Sequence, residues 1–523
     1  MLHILAKTAI YNAPVQRGRV FLIGAGPGDP SLVAVRGLQR LQQADVVVYD
    51  HRVHARLLGS ARAEAELIDV GPAAPRPLEQ DAISLLLAEK AREGKRVARL
   101  KWGDPFVFDT GGKEALFLHE HGIPFEVVPG ILPAVAASCY AGVPITYPGG
   151  GDVVTLVRGH ESETEMLPDV DWARLAGVRG AIGVYVGARQ LSDFVGHLRK
   201  GGRPADDTAV LVSNATTPDQ RTVAGTLGDI EQKAKDAGAV FPAMLIIGAV
   251  AGLREYLRWF DDRPLFGKRI VVTRSREQAR ELLDRLEELG AAPILSPTIR
   301  IAPPESYEPL DRAIAEVSTF DWIIFTSANG VDFFMDRLLA GPGDVRDLKG
   351  VRLCAIGPST AGRLERYGIR VDLTPPEYRA ESIVEALTAR TTIAGRRFLL
   401  PRADIAREVL PEQLRAGGAD VVEVKSYRTL LAEAGGEPDV YRMLLDRQVD
   451  AVLFTSASTV RNFVKIIGAE PAADLLRTTV VACIGPVTAE AAQQLDIPTT
   501  VMPATYTIPA LVDALVEHFR LEG

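Results

Sequence analysis

The chain has 523 residues, of which 47% are hydrophobic and 24% charged, and its formal net charge is −8. This length exceeds what one hydrophobic core supports and predicts three or four lobes. The negative charge argues against non-specific nucleic-acid binding, and the longest apolar run is too short to span a membrane. Three separated cysteines without a CxxC pair offer no metal site and fit a reducing compartment, so we expect a cytoplasmic protein.

Residues 1–17 lack the long apolar region of a signal peptide and are predicted to be an N-terminal arm. The first strand then runs into the turn FLIGAGPGDP at 21–30. A dinucleotide fingerprint requires glycine at position 29, where this chain has Asp29, with Gly28 one place early. The turn is therefore a poor NAD loop. It either holds a different nucleotide or needs only the backbone freedom of glycine.

Strand-like runs alternate with amphipathic helical stretches along the whole chain, which predicts an α/β protein. In the first half, strands are predicted at VFLIGAG, ADVVVYD, RVARLKWGD and FEVVPG, and a helix at DAISLLLAEKAREG. A second lobe begins after GVPITYPGG, with strands at VVTLVRGH, AIGVYVGA, TAVLVSNA and AMLIIGAV. The turn-rich cluster DDRPLFG at 261–267 predicts a linker, after which a strand, a helix and a strand follow.

The second half contains an internal repeat. FTSANGVDFF at 325–334 matches FTSASTVRNF at 454–463 in six of ten positions, and IGPSTA at 356–361 matches IGPVTA at 484–489 in five of six. The duplication serves either folding alone or a ligand cleft between two similar lobes. We favour a cleft, because both copies place hydroxyls and Gly-Pro backbone at strand ends, where open α/β sheets bind ligands.

Residues 18–260 resemble uroporphyrinogen-III C-methyltransferases of the tetrapyrrole methylase family, through the ordered motifs GAGPGDP, ADVVVYD, GDPFVF, GIPFEVVPG, YAGVPIT, TTPDQRTVAGTL and LREYLRWF. The resemblance implies a two-lobed fold, with lobes of about 18–143 and 144–260, and S-adenosyl-L-methionine bound between them. It implies that the cofactor contacts Pro27, Gly103, Asp104, Val107, Leu132, Pro133, Val186 and Ala215. It also implies that Asp50 accepts a proton, although a strand-end carboxylate also caps turns.

The same half departs from the family where cations are expected. GKRAG, FGRGG, LTHRG and KGGDP of the family are GPAA, FDTGG, ITYPG and KWGDP here, so Pro72, Ala73, Thr110 and Pro148 replace Lys or Arg. Cations are natural partners for a polycarboxylate macrocycle. Nearby cations that offer compensation are Arg52, Arg56, Arg76 and Lys113. Methyl transfer therefore competes with two other interpretations, a different acceptor and a non-catalytic lobe.

Residues 264–523 resemble uroporphyrinogen-III synthases, through GKRIVVTR, GAAPILSP, FTSANGV, IGPSTA, LLPRADIAREVLPEQLRAGGADV, KSYRT, FTSASTV and IGPVTA. The resemblance implies a domain at 268–523 with two α/β lobes, 268–301 with 430–523 and 303–427, joined by two extended linkers. It also implies that the domain closes hydroxymethylbilane into a ring while inverting the last pyrrole. For this reaction the enzyme mainly has to hold the substrate in one folded conformation. This requirement agrees with the lack of a Ser-His-Asp triad or metal-binding motif in this half of the sequence.

By this resemblance the substrate contacts Thr273, Arg274, Ser327, Asn329, Ser359, Thr360, Arg402, Ser456 and Thr488, and Tyr427 assists loss of the hydroxyl. Each assignment has an alternative. Tyr427 could instead pack between the lobes without a chemical role. The hydroxyls could instead cap the helices that follow them, and Arg402 could instead be a solvated charge.

Taken together, these motifs predict a bifunctional enzyme that makes uroporphyrinogen III and methylates it to precorrin-2. Two alternatives are an active synthase beside a scaffolding or cofactor-sensing module, and a two-lobed ligand-binding protein without activity. The expected partner is a small tetrapyrrole, and a homodimer through the first half is expected from the family. No segment resembles the dehydrogenase or ferrochelatase that finish sirohaem, so the sequence leaves the destination between sirohaem and cobalamin open.

Overall fold

The computed structural model describes residues 18–50, 52–72, 74–75, 77–159, 167–377, 379–404, 408–432 and 439–522. The predicted arm at 1–17, Ala73 and Arg76 lie outside the described residues. The chain divides into two compact units: the first runs to Lys268 and includes Glu287–Ala292, and the second holds Arg269–Leu286 and the chain from Pro293 onward. Both units alternate strands and helices, so the predicted α/β class is confirmed.

The first lobe of the first unit is a parallel sheet with helices. Its strands are β1 (Arg19–Gly24), β2 (Val46–Tyr49), β3 (Glu66–Asp69), β4 (Arg96–Lys101) and β5 (Phe125–Val128), in the order β3-β2-β4-β1-β5. Its helices are α1 (Val35–Leu41), α2 (Ala55–Leu58), α3 (Gln80–Arg92), α4 (Gly111–Glu120) and α5 (Pro133–Tyr140). Alternate residues of β1 enter two separate apolar clusters, so the strand is buried on both faces. That burial explains the continuous apolar run VFLI.

The second lobe of this unit is a mixed sheet. Its strands are β6 (Val154–Val157), β7 (Ala181–Val186), β8 (Thr208–Ser213), β9 (Arg221–Thr226) and β10 (Ala243–Ile247), in the order β6-β7-β10-β8-β9. Its helices are α6 (Trp172–Ala176), α7 (Ala188–Lys200), α8 (Ile230–Asp236) and α9 (Arg254–Leu257). β10 runs antiparallel to both β7 and β8 and is fully buried, so it forms the centre of this lobe.

The second unit contains two sheets. Its strands are β11 (Arg269–Val272), β12 (Ala292–Leu295), β13 (Ile299–Ala302), β14 (Trp322–Phe325), β15 (Arg352–Ala355), β16 (Arg397–Ala403), β17 (Asp420–Leu431), β18 (Ala451–Phe454) and β19 (Val480–Cys483). One sheet has the order β12-β11-β18-β19 and the other β13-β17-β16-β14-β15. β13 pairs antiparallel with the end of β17, so the two segments at the predicted lobe boundaries pair with each other.

Helices cover both of these sheets. They are α10 (Arg276–Glu288), α11 (Glu308–Ala315), α12 (Ala328–Ala340), α13 (Pro358–Glu365), α14 (Ala380–Thr388), α15 (Val409–Ala416), α16 (Val440–Leu445), α17 (Ala457–Ile467), α18 (Ala469–Leu476), α19 (Pro486–Gln493) and α20 (Ile508–Glu522). The repeat is confirmed: each FTS motif joins a parallel strand to α12 or α17, and each IGP motif joins one to α13 or α19.

Three further properties concern the described residues as a whole. None of the described helices combines the length and apolar character needed to cross a bilayer. No cluster of three or more His, Cys, Asp or Glu side chains able to hold a metal ion occurs in that part of the chain. Cys139, Cys354 and Cys483 are all free thiols.

Candidate active sites

The first unit contains a cavity of about 290 Å³ between its two lobes. This volume lies close to the lower end of the range for small-molecule sites. The cavity is lined from the first lobe by Asp50, Arg52, Pro72, Trp102, Val107, Phe108, Asp109, Leu132, Pro133 and Ala134, and from the second by Leu156, Val157, Gly159, Gly183, Tyr185 and Met244. Most of these residues are apolar or aromatic, and the charged ones all come from the first lobe.

Closely packed backbone loops lie around the GAGPGD turn and contact Pro133, which lines the cavity. A Cβ atom on Gly24 would lie 2.5 Å from the Cα of Gly130, and one on Gly103, whose φ is +70°, would lie 2.7 Å from Pro133 Cδ. Asp104 ties these loops together, because its carboxylate accepts N–H groups from Phe106 at 2.8 Å and Gly130 at 2.9 Å. The glycines are therefore required by close backbone approach.

Three described residues of the first unit other than glycine have the left-handed backbone conformation that favours glycine, and one of them, Phe108, lines the cavity. They are Phe108 (φ 58°), Asn214 (φ 48°) and Thr216 (φ 70°). Thr216 also joins the two lobes, since its hydroxyl accepts the backbone N–H of Asp29 at 3.1 Å. Such strain persists only where surrounding structure enforces it, and it concentrates at binding sites.

The predicted cofactor residues lie around this cavity in different ways. Val107, Leu132 and Pro133 line it, whereas Gly103 packs against Pro133 and Asp104 binds the Gly130 N–H, and neither of these two lines the cavity. The carbonyl of Pro27 accepts the indole N–H of Trp102, and the carbonyl of Ala215 lies 3.4 Å from where a Cβ on Gly28 would be. Val186 is fully buried in the core of the second lobe and is not among the lining residues of the cavity.

Asp50 lines the cavity and also makes a local contact. One carboxylate oxygen accepts the backbone N–H of Arg52 at 3.2 Å, and the other lies 3.9 Å from Arg99 Nη2. The turn-capping role is therefore real. It leaves the carboxylate at the cavity surface, so both roles predicted for Asp50 are compatible.

A buried network of charges under the cavity was not expected from the sequence. Lys101 is 1% exposed, and its Nζ lies 2.8 Å from Asp109, 3.0 Å from Glu114 and 3.0 Å from the Thr110 hydroxyl. Burial opposes ionisation of Glu114, but the charges of Arg99 and Lys101 outweigh it and lower the pKa of Glu114. The only sequence signal was the pair of cations at alternate positions of the otherwise apolar strand RVARLK.

Of the cations expected to compensate for the family's missing Lys and Arg side chains, Arg52 alone is among the described lining residues. Arg56 forms an ion pair with Glu287, and Lys113 is exposed on α4. Pro72 lines the cavity, Thr110 binds Lys101, and Pro148 is exposed. The cavity lining thus carries two carboxylates, Asp50 and Asp109, and one guanidinium.

In the second unit, the predicted substrate residues follow the carboxyl ends of parallel strands. Thr273 and Arg274 follow β11, Ser456 follows β18 and Thr488 follows β19. In the other sheet, Ser327 and Asn329 follow β14, and Ser359 and Thr360 follow β15. Arg402 lies near the end of β16, and Tyr427, within β17, pairs with Ala403 at that end. Each sheet therefore gathers its own group at one edge, as the repeat predicts.

Tyr427 is 6% exposed, and its hydroxyl lies 3.0 Å from Ser327 Oγ. Its ring stacks on Phe333 with 5.7 Å between centroids. Burial is the main cause that raises the pKa of Tyr427, and the hydrogen bond with Ser327 opposes it. The phenol is therefore held in one position and stays protonated at neutral pH.

Several of the predicted hydroxyls serve local structure. Ser327 accepts the N–H of Gly330 at 3.0 Å and Ser456 that of Thr459 at 3.2 Å, so both cap helices. Thr273 is buried and donates to the carbonyl of Leu453 at 2.8 Å. The capping interpretation is confirmed for these two serines, and capping leaves Ser327 in contact with Tyr427.

The two predicted arginines differ in their surroundings. Arg402 is 6% exposed and forms an ion pair with Glu423, with Glu408 Oε1 3.7 Å away. The interpretation of Arg402 as a solvated charge is therefore wrong, because its guanidinium is buried. Arg274 is half-buried beside Gln278, and burial lowers the pKa of its guanidinium.

Comparison with known proteins covers both units. The family model "Tetrapyrrole (Corrin/Porphyrin) Methylases" matches residues 19–231, and "Uroporphyrinogen-III synthase HemD" matches residues 280–513. A porphyrin biosynthesis protein HemD of Ruminiclostridium josui is 36% identical over 96% of this chain and 98% of its own. A uroporphyrinogen-III C-methyltransferase of Bacillus subtilis is 33% identical over 71% of this chain and 76% of its own. The crystal structure of a uroporphyrin-III C-methyltransferase from Thermus thermophilus aligns at 34% identity with a TM-score of 0.39, over 46% of this chain and 98% of that one.

Proposed function

This chain belongs to the tetrapyrrole-biosynthesis enzymes that join a tetrapyrrole methylase domain to a uroporphyrinogen-III synthase domain, and from that premise we propose that it catalyses two consecutive steps. The second unit closes hydroxymethylbilane to uroporphyrinogen III. The first unit methylates that product to precorrin-2. The observation that carries the methylation step is the cavity between the lobes, whose lining includes Asp50 and the predicted cofactor residues Val107, Leu132 and Pro133.

In the second unit, the chain's residues hold the linear tetrapyrrole in one folded conformation. The Tyr427 phenol donates its proton to the departing hydroxyl of hydroxymethylbilane, which leaves as water. Ser327 fixes the phenol through a 3.0 Å hydrogen bond. Burial raises the pKa of Tyr427, so the phenol is protonated at neutral pH, and its fixed position beside Ser327 is the observation that supports its role as a proton donor.

The residues around the first cavity fit S-adenosyl-L-methionine. Its lining joins aromatic and apolar side chains to two carboxylates, Asp50 and Asp109, which favour a cationic sulfonium. Gly24 and Gly103 let the loops beside the cavity pack closely, and this packing holds the lining residue Pro133 in place. When bound, this cofactor supplies an activated methyl group. The chain's own residues align the acceptor carbon, and Asp50 accepts the proton that this carbon's ring system releases.

The methylation step is tested with uroporphyrinogen III and methyl-labelled S-adenosylmethionine on the full chain. We expect two labelled methyl groups per macrocycle in the wild type and a loss of about a hundredfold in rate for Asp50→Asn. Binding of S-adenosylhomocysteine serves as the control and should be the same in both proteins. Absence of label from the wild type would overturn the assignment.

A second candidate function rests on the charges of this cavity. Arg52 is the only cation among its described lining residues, whereas the acceptor carries many carboxylates. In this alternative only the synthase is active, and the first unit is a cofactor-sensing or scaffolding module. Binding of S-adenosylhomocysteine without any methyl transfer to uroporphyrinogen III distinguishes it from the bifunctional enzyme.

We also propose where the enzyme acts and in which form. The three free thiols fit the reducing cytoplasm. A homodimer through the first unit follows from the family resemblance, and sedimentation of the full chain tests it. The later steps of sirohaem or cobalamin formation require other enzymes.

A further inference from the structure

Tyr506 lies at the same edge of a sheet as predicted substrate residues of the second unit, although no motif assigned it a role. Val501 pairs parallel with Ala482 of β19, so the segment that follows Val501 leaves at the carboxyl end of that strand. Thr488 follows the same strand end, and Ser456 follows β18 beside it. Tyr506 is 58% exposed. A large aromatic side chain is therefore accessible where open α/β sheets bind their ligands.

The ring of Tyr506 rests on the glycine of the IGPVTA turn. A Cβ atom on Gly485 would lie 3.1 Å from both Cγ and Cδ1 of Tyr506. The backbone of Gly485 is extended, with φ −175°, a conformation that any residue adopts. Glycine is therefore favoured at this position by the ring above it and not by the backbone conformation. The turn covers one side of the ring, and the opposite side is exposed.

The internal repeat carries the same pair of residues in both copies. Tyr506 follows Gly485 by 21 positions, and Tyr378 follows Gly357 of IGPSTA by 21 positions. Between the end of the IGP motif and the tyrosine, the two copies are identical at only two of 16 positions. A tyrosine kept at one spacing through so divergent a segment indicates a function beyond folding. The structure describes the pairing for Tyr506 alone, because Tyr378 lies outside the described residues.

The surroundings of Tyr506 at this edge suit an aromatic ring of the substrate. Val487, two residues after Gly485, is 70% exposed, and Met502 is 47% exposed. Aromatic side chains bind the faces and edges of other rings, and contact with apolar side chains adds buried area. Tyrosine also supplies a large contact area at a small cost in conformational entropy. The substrate proposed for this unit is a linear tetrapyrrole, whose pyrrole rings offer such faces.

We propose that Tyr506 packs the exposed side of its ring against a pyrrole ring of hydroxymethylbilane and so holds the linear tetrapyrrole at the carboxyl end of β19. This inference rests on the synthase activity proposed above. It adds Tyr506 to the substrate-binding residues of the second unit and makes Gly485 a positioning residue, because the glycine sets where the ring lies.

The test measures initial rates of uroporphyrinogen III formation by the full chain, with hydroxymethylbilane varied. Tyr506→Ala should raise KM about 10-fold, the effect of losing an aromatic contact and the area that it buries, with little change in kcat. Tyr506→Phe should keep KM within about twofold of wild type, because the ring is retained. A KM for Tyr506→Ala within twofold of wild type would overturn the proposal, and so would equal KM values for the Ala and Phe variants.

Gly485→Ala tests the positioning role. Its Cβ would meet the ring at 3.1 Å, so the ring must move. We expect Gly485→Ala to raise KM several-fold on its own and to have no further effect when combined with Tyr506→Ala, because the ring that it displaces is then absent. Multiplicative effects of the two substitutions on KM would contradict a role of Gly485 through Tyr506.

Tyr256→Ala is the matched control. It removes a 78% exposed tyrosine from the first unit and should leave the KM for hydroxymethylbilane unchanged. An effect as large as that of Tyr506→Ala would show that loss of any exposed tyrosine raises KM, and would overturn the assignment to Tyr506.

Failure of the proposed synthase activity is distinguishable from failure of this inference. If the wild type forms no uroporphyrinogen III, binding of uroporphyrin III to the full chain, followed by fluorescence titration, tests the inference separately. Tyr506→Ala should then raise the Kd of one class of sites about 10-fold. Identical titration curves for the wild type and Tyr506→Ala would refute the binding role of Tyr506.

Discussion

Glu114 joins two buried cations beneath the first cavity. Its side chain is fully buried, Oε1 lies 3.0 Å from Lys101 Nζ and 3.4 Å from Arg99 Nε, and Oε2 has no hydrogen-bond partner in the described structure. Glu114→Gln keeps the shape and removes the charge. We expect the free energy of unfolding of the first unit to fall by about 3 kcal/mol, the lower end of the range for a broken buried ion pair. Tryptophan fluorescence during urea unfolding measures this.

The effect of Glu114→Gln on the free energy of unfolding should depend on pH. Because the folded-state pKa of Glu114 is lowered, its stabilising contribution is fully present above the usual value of 4.5 and is lost as pH falls through the lowered value. The difference between wild type and Glu114→Gln should therefore shrink in acid. Glu64→Gln, at an exposed ion pair with Arg62, is the matched control and should change stability by less than about 1 kcal/mol. Equal stabilities of Glu114→Gln and wild type would contradict this account.

Tyr427→Phe tests the proton donor of the second unit. Phenylalanine keeps the stacking on Phe333 and loses only the hydroxyl that contacts Ser327. We expect kcat for ring closure to fall about a hundredfold, the lower end for general acid catalysis, with KM changed little. Tyr441→Phe, at a tyrosine that is 40% exposed, should behave as wild type. An unchanged kcat would show that Tyr427 only packs.

At the scale of single residues, the order of motifs in the sequence predicts which residues follow the ends of strands. Asp50 and Tyr427 were predicted from the family motifs that contain them, VVVYD and KSYRT; Asp50 follows β2, whereas Tyr427 lies within β17. The Lys101–Glu114 contact was not, since β4 and α4 meet only after the chain reverses through the GDPFVF turn. The ion pair of Arg402 with Glu423 was missed for a similar reason: it depends on the register in which β16 lies beside β17.

At the scale of elements, the two FTS turns provide a matched pair of helix caps. Ser327→Ala and Ser456→Ala each remove the side-chain acceptor of a helix N-terminal N–H, which costs about 1 kcal/mol. Ser327→Ala should cost more than Ser456→Ala, because it also removes the hydrogen-bond partner of the buried Tyr427 hydroxyl. Urea unfolding of the second unit measures both values.

Ser359→Ala is the control for these caps, because Ser359 is exposed and α13 has no side-chain cap. Its effect should lie within about 0.5 kcal/mol of zero. Equal costs for Ser327→Ala and Ser456→Ala would mean that the Tyr427 hydrogen bond adds nothing to stability.

The elements themselves were largely predictable, because apolar runs such as VVVY and AMLII are long enough to identify buried strands. The repeat predicted equivalent strand-to-helix turns in both copies, which the structure confirms. The ladder between β13 and β17 was not predicted. It pairs Ile299 with Leu431, and such distant pairing leaves no periodic signal in either short segment.

At the scale of the whole molecule, the chain combines two domains whose proposed reactions are consecutive. The product proposed for the second unit is the acceptor proposed for the first, so fusion raises the local concentration of an unstable porphyrinogen. Length and motif order were sufficient to predict this organisation. The replacement of the family's Lys and Arg residues around the first cavity was also visible in the sequence. The stacking of Arg52 on Trp102 and Tyr185 was not, because it depends on how the chain folds.

The most direct test of the bifunctional enzyme supplies hydroxymethylbilane to the full chain with and without S-adenosylmethionine and follows products by absorbance and mass. We predict uroporphyrinogen III in both reactions and a product with two added methyl groups only when the methyl donor is present. Uroporphyrinogen III without added methyl groups in either reaction would contradict the methylation step. Failure to form the type III ring at all would contradict the synthase assignment.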